Sequence, residues 1–269
     1  MSKATLIGDG ARGMRKRGMA GVAALLLFTS GSYAQDHDAR AILKGMTDYL
    51  SGQNALSARY DTDIEIITTD LQKIQFTSSG ELTLDRKVGL RASRTGGYSD
   101  VELMFDGKSA TVYSHDSNSF ATVDAPGSVN DLVERLRNDH SIEVPGADLL
   151  LAGAYEKLTE DVVDAKYVGL GVIDGVECDH LAFRNAETDW QIWIDAGEHP
   201  VPRKYVITSK TVAQAPQYTL RIKELHTDLK TDAGAFEFKA PEGASQVDVD
   251  GLGDIDEVPP GVVEEGDRP

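Results

Sequence analysis

Residues 60–66 read YDTDIEI, and this stretch decides the fold class. Tyr60, Ile64 and Ile66 fall on one side of a two-residue period, and Asp61, Asp63 and Glu65 on the other. That is the pattern of a strand with one buried face. The same period continues downstream in Ile74 and Phe76, Leu82 and Leu84, Val88 and Leu90, and Val101, Leu103 and Phe105. It then runs through residues 110–113 and 120–123, with turns at Asp106-Gly107 and 116–119. Ser79-Gly80 reads as a bend or bulge between Phe76 and Leu82. Short strands punctuated by Gly, Asp and Asn predict an antiparallel meander over residues 56–123, covering a core with one face.

Upstream, residues 38–50 switch to the helical period. Asp38 stands at the N-cap position, and Ile42, Leu43, Met46, Tyr49 and Leu50 share one face. Downstream, Ser128 with Asp131 forms a capping-box pattern before the stripe Val129, Leu132, Val133 and Leu136 over residues 128–138. Pro145 suits the start of a short helical segment carrying Leu149, Leu150 and Leu151. Strands resume at residues 162–170, 176–184, 190–195, 203–208 and 218–225, with a hairpin turn at Asp174-Gly175. Phe236 and Phe238 suggest a last short strand before Pro241. A dozen antiparallel strands with a helical insertion predict an α+β protein built on one highly curved sheet or a sandwich, since strongly twisted sheets curl beyond about ten strands.

Residues 1–34 read as a cleavable signal peptide. Arg12, Arg15, Lys16 and Arg17 precede the uncharged run MAGVAALLLF at 19–28, and Ser32 and Ala34 mark cleavage before Gln35. The run is too short to span a bilayer, so no transmembrane segment is expected after cleavage, and the periplasm is the expected location. Cleavage removes five of the 27 Lys and Arg and one of the 44 Asp and Glu. The net charge then falls from −17 to about −21. Such a surface argues against nucleic acid as a partner. Residues 245–269 are acidic, lack aromatics and are expected to be a disordered tail whose deletion leaves stability unchanged. The domain proper is expected at 35–244.

No nucleophile elbow, phosphate-binding loop, metalloprotease helix or dinucleotide fingerprint occurs, so no enzyme activity and no cofactor are expected. Cys178 is the single cysteine and lies two residues from His180 on a predicted strand. Two candidate ligands fall short of a metal set, and a buried structural thiol is the better reading. Carboxylate pairs such as Asp61 with Asp63 and Asp248 with Asp250 read as solvated. Trp190, Ile192 and Ile194 share one strand face, with Gln191, Trp193 and Asp195 on the other. Trp193 is expected under a helix or loop, the alternative being that a face of this strand lines a ligand cavity.

Several blocks carry a resemblance. They are WQIWID at 190–195, HPVPRKYVI at 199–207, FDGK at 105–108 with TVY at 111–113, and residues 145–150. Further blocks are DGVECDHLAFR at 174–184, APQY at 215–218, and FEF at 236–238 with PEGA at 241–244. In this order, over residues 38–246, they resemble the predicted periplasmic proteins of DUF2092 type within the LolA/LolB-like superfamily of lipoprotein carriers. The resemblance implies a half-open antiparallel barrel with helices packed in its concave mouth. It also implies either an acyl-chain carrier or an envelope module that binds a partner protein. No ligand-contacting residue of the carriers is carried over.

The expected ligand is apolar, an acyl chain or lipid-like molecule. The expected binding residues are Tyr60, Ile64, Ile66, Phe76, Leu82, Leu84, Leu90, Leu103 and Phe105 from the sheet, with Leu132 and Leu136 from the covering helix.

Overall fold

The computed structural model describes residues 38–140, 146–227, 229–252, 255–259 and 262. The expected signal peptide and Pro145 lie outside the described residues. Six strands, β1 (Ala55–Ile67), β2 (Lys73–Asp85), β3 (Gly89–Gly96), β4 (Asp100–Phe105), β5 (Ser109–Ser114) and β6 (Ser119–Asp124), pair in sequence order as an antiparallel meander. A second meander runs through β7 (Asp164–Ile173), β8 (Val176–Arg184), β9 (Thr188–Asp195), β10 (Pro202–Ser209) and β11 (Gln217–Thr227). Pairing of β1 with β11 fuses the two, and β12 (Ser245–Gln246) adds to β6 in parallel. The result is one curved twelve-stranded sheet whose edges, β12 and β7, stay apart. Register shifts at Arg59/Tyr60, Tyr167/Gly169 and Pro202/Lys204 insert extra residues, which bend a strand and raise its twist.

Because β6 and β7 sit far apart in the sheet order, the chain between them must cross the sheet. It does so over the inner face, as α2 (Val129–His140), a 3₁₀ turn (Ala147–Leu150) and the short α3 (Ala154–Thr159). The capping box forms: Ser128 N donates to Asp131 Oδ2 at 2.7 Å, and Asp131 N donates to Ser128 Oγ at 3.3 Å. Val129, Leu132 and Leu136 then bury against Leu84, Leu90 and Phe105. Each such leucine stabilises the docked crossover by about 1.5–3 kcal/mol. At the other end α1 (Ala39–Ser51), capped by Asp38, lays Leu43, Met46 and Leu50 on Leu181, Ile192 and Ile194.

Four local expectations need correction. Ser79-Gly80 is no bend: β2 runs straight through it, paired to Tyr60 and Arg94. Phe236 ends a 3₁₀ turn (Ala233–Phe236) rather than lying in a strand, while Phe238 packs on Tyr113 and Phe120. Trp193 lies on the outer face under none of the described helices, its ring stacked on His180 at 4.0 Å with Lys204 Nζ 5.0 Å away. α3 carries no period long enough to register in the sequence.

The fourth correction concerns the tail. Ser245 N donates to Asn118 O and Val247 N to Phe120 O, and Leu252 and Val258 are buried. Val258 packs with Ile64, Ile66, Ile74 and Phe76. The acidic average of residues 245–269 conceals a few well-spaced apolar residues that the sheet end accepts. Deleting 245–269 is therefore expected to lower Tm by roughly 5 °C or more, as losing two buried aliphatic residues would. An unchanged melting curve in circular dichroism would refute this docking.

Candidate functional site: an apolar cavity with an ion pair at one end

Most of the inner face is packed, but between the sheet and α2 a cavity of about 260 Å³ stays open. Native interiors keep few voids larger than a water molecule, so this space is outside ordinary packing. Its floor is Ala58 and Tyr60 of β1, Leu82 of β2, Leu90 and Ala92 of β3, Leu103 of β4, and Leu220 and Ile222 of β11. Its roof is Leu132, Val133 and Leu136 of α2 with Leu149 and Leu150 of the 3₁₀ turn.

Of the residues expected from sequence, Tyr60, Leu82, Leu90, Leu103, Leu132 and Leu136 line this cavity. Leu84 and Phe105 share the same sheet face but are sealed in the packed cluster under α2. Ile64, Ile66 and Phe76 lie further along the strands, in the cluster covered by Val258.

The polar end of the cavity is absent from the sequence-based set. Tyr60, Gly80, Arg94 and Val101 form one cross-strand row. A Cβ at Gly80 would overlap the Tyr60 ring, so only glycine lets that ring lie flat across β2, where its hydroxyl donates to Ser93 O at 2.9 Å. Burial pushes the Tyr60 hydroxyl up to about 12 and raises that of Tyr218 as well. Arg94 is the one cation among the described lining residues. Its Nη1 donates to Glu257 Oε1 at 3.3 Å, and its Nη2 donates to Ser99 Oγ at 3.2 Å and to Ile255 O. Ser99 Oγ in turn donates to Asp256 O at 2.7 Å. Residues 255–258 thus form a strap across one end of the cavity. Glu102 also borders the space but is paired with Arg91 Nε at 2.5 Å.

Sequence signals exist for part of this. Arg94 occupies the inward phase of β3, after Leu90 and Ala92, where alternation calls for an apolar residue. Nothing local marks Glu257 as its partner, 163 residues away.

Glu257 is mostly buried, its side chain 16% exposed, and desolvation raises its carboxyl above the ordinary 4.5, opposed by Arg94. With the raised value, the docked strap binds a proton more tightly than the released strap. Docking is therefore firmest in acid and weakens as pH rises through the raised value. Tyr60 and Tyr218, which also sense Glu257, stay neutral over this range. Hydrogen exchange at 255–258, corrected for intrinsic rate, is expected to show protection falling as pH rises from the ordinary carboxylate value through the raised one. Glu257→Gln should flatten that dependence. A slope unchanged by the substitution would assign it to other groups.

Elsewhere, Cys178 is fully buried with Sγ 3.4 Å from Val176 O, and burial raises its thiol. His180 Nε2 lies 2.9 Å from Gln191 Oε1. Among the described residues no three His, Cys, Asp or Glu side chains converge as a metal set. Asp61 and Asp63 accept from Ser79 Oγ and Thr77 Oγ1. None of the described helices is long and apolar enough to cross a membrane.

A family model described as predicted periplasmic protein (DUF2092) matches residues 39–250. The chain belongs to the DUF2092 family. No curated protein matches it in sequence. Solved structures similar to this DUF2092 protein include an uncharacterized conserved protein from Thermus thermophilus. The identity is 12% over 78% of this chain and 98% of that one, with a TM-score of 0.46. The Mycobacterium tuberculosis lipoprotein LppX is 13% identical over 72% of this chain and 97% of that one, TM-score 0.44. In the MucA/MucB complex of Pseudomonas aeruginosa the matched chain is 12% identical, with 76% of this chain and 62% of that one covered and a TM-score of 0.42.

Proposed function

We propose that this DUF2092 protein is an exported, non-enzymatic binder or carrier of an apolar, acyl-chain-like ligand, which it holds in the cavity under α2. The observation that supports the reading is the unfilled apolar space itself, roofed by a crossover that could have packed flush. Each methylene moved into it from water contributes about 0.8 kcal/mol, against the cost of ordering the chain. A signal cleaved between Ala34 and Gln35 would deliver the protein to the periplasm, consistent with the family description. The uncharged probe N-phenyl-1-naphthylamine should bind saturably at about one site per chain. Solvent extracts of protein purified from its native periplasm should contain a lipid-like molecule by mass spectrometry. No saturable binding together with empty extracts would end the carrier reading.

A second reading, a module that binds a partner protein, has one observation in its favour. Edge strand β7 exposes Val168, Leu170 and Val172, at 55%, 61% and 67%. An open edge carrying apolar side chains is a pairing surface. Empty extracts would make this the better account.

A further inference from the structure

We propose that Arg94 is the head-group subsite of the cavity, that it takes a carboxylate, and that Glu257 fills it intramolecularly until a carboxylate-headed, single-chain amphiphile displaces the strap. This deepens the binder reading above and rests on it. Three observations carry it. Arg94, its side chain 22% exposed, is the one cation among the described residues of a largely apolar space, and a mostly buried cation favours an anion beside it. The anion it has comes from the far end of the chain, on a strap, rather than from the sheet that fixes Arg94. And the site is not saturated. Among the described residues Arg94 Nε has no hydrogen-bond partner, nor has the Thr62 hydroxyl, although Thr62 is only 2% exposed and lines the same cavity.

Ligand class follows from replacement chemistry. At about 260 Å³ the cavity is below the usual range for small-molecule sites and Glu257 lines it, so a longer ligand whose head reaches Arg94 displaces the strap. A neutral hydrocarbon that did so would leave the mostly buried Arg94 without its anion. A carboxylate exchanges one ion pair for another, adding an acceptor for Arg94 Nε or Thr62 Oγ1. From that head position Leu82, Leu90, Leu103, Leu132 and Leu136 continue along the cavity as the channel for the tail.

The test compares cis-parinaric acid with its methyl ester on full-length protein: wild type, Arg94→Gln, Glu257→Ala and the double variant Arg94→Gln/Glu257→Gln. The double variant leaves no lone buried charge, so it carries the comparison if either single variant melts early. Wild type should prefer the acid. Glu257→Ala should tighten the acid tenfold or more and change the ester less than threefold. Removing Arg94, alone or in the double variant, should erase the preference. Equal binding of acid and ester by wild type and Glu257→Ala would overturn the subsite and leave the apolar binder standing. Saturable binding of neither, in any variant, would overturn both.

Discussion

Replacing Arg86 with leucine is expected to destabilise the protein by about 3–5 kcal/mol and to lower Tm by roughly 10 °C. Arg86 sits in the β2–β3 turn with its guanidinium half-buried, and desolvation lowers its pKa. Its Nε donates to Gln53 O at 3.0 Å, Nη2 to Leu50 O at 3.1 Å, and Nη1 to Leu150 O at 2.7 Å. Leu50 lies in the last turn of α1, where its carbonyl accepts from Gln53 N at 3.2 Å as well as from Arg86 and the helix end favours a cation. One planar fork therefore bonds three carbonyls from α1, its following loop and the 3₁₀ turn. Leucine of similar girth would leave all three without that donor. Leu50, Leu149 and Leu150 are cavity walls, so the same change should also weaken uptake of an apolar probe. Lysine, a single flexible ammonium, should recover only part of the loss. Urea unfolding measures this directly; a leucine variant within about 1 kcal/mol of wild type would show that the carbonyls find other partners.

Arg86 also shows what sequence reading reaches and where it stops. Period-two alternation places ten of the eleven long strands, because each buries one face and the pleat forces every second residue inward. β2 reads as two pieces because Gly80 resembles a break. Its role is visible only once Tyr60 is seen lying across it. The helices are legible through Asp38 and Ser128 with Asp131, whose caps are local hydrogen bonds. The site is legible where it is apolar and local, at Leu82, Leu90, Leu103, Leu132 and Leu136. Its polar end depends on partners far apart in the chain. Arg94 breaks the inward apolar run of β3 and is a readable anomaly, but its meaning rests on Glu257. A compositional average over residues 245–269 removes that partner from view, since disorder arguments count charges without asking whether one has a mate in the folded domain.

Two substitutions in one cross-strand row are expected to abolish apolar binding by opposite means. Leu82, Ala92, Leu103 and Val112 are opposite one another on β2 to β5, and all line the cavity. Leu103→Asp puts a carboxylate in the channel, where a ligand would strip its water. A penalty of several kcal/mol corresponds to a loss of at least about a hundredfold in affinity. That variant alone is ambiguous, because a new charge also costs folding stability. Ala92→Phe resolves the ambiguity. The added ring projects into space that is already empty, so it needs little repacking, and Tm should stay within a few degrees of wild type or rise. Yet the ring occupies the volume a hydrocarbon tail would use, so N-phenyl-1-naphthylamine binding should fall at least tenfold. Isothermal titration beside thermal denaturation separates the two effects. Should Ala92→Phe remain well folded and bind as wild type does, the ligand lies elsewhere and the space under α2 is only a packing defect. Should both variants lose binding while only Leu103→Asp loses stability, occupancy of this cavity is the function that the unfilled row preserves.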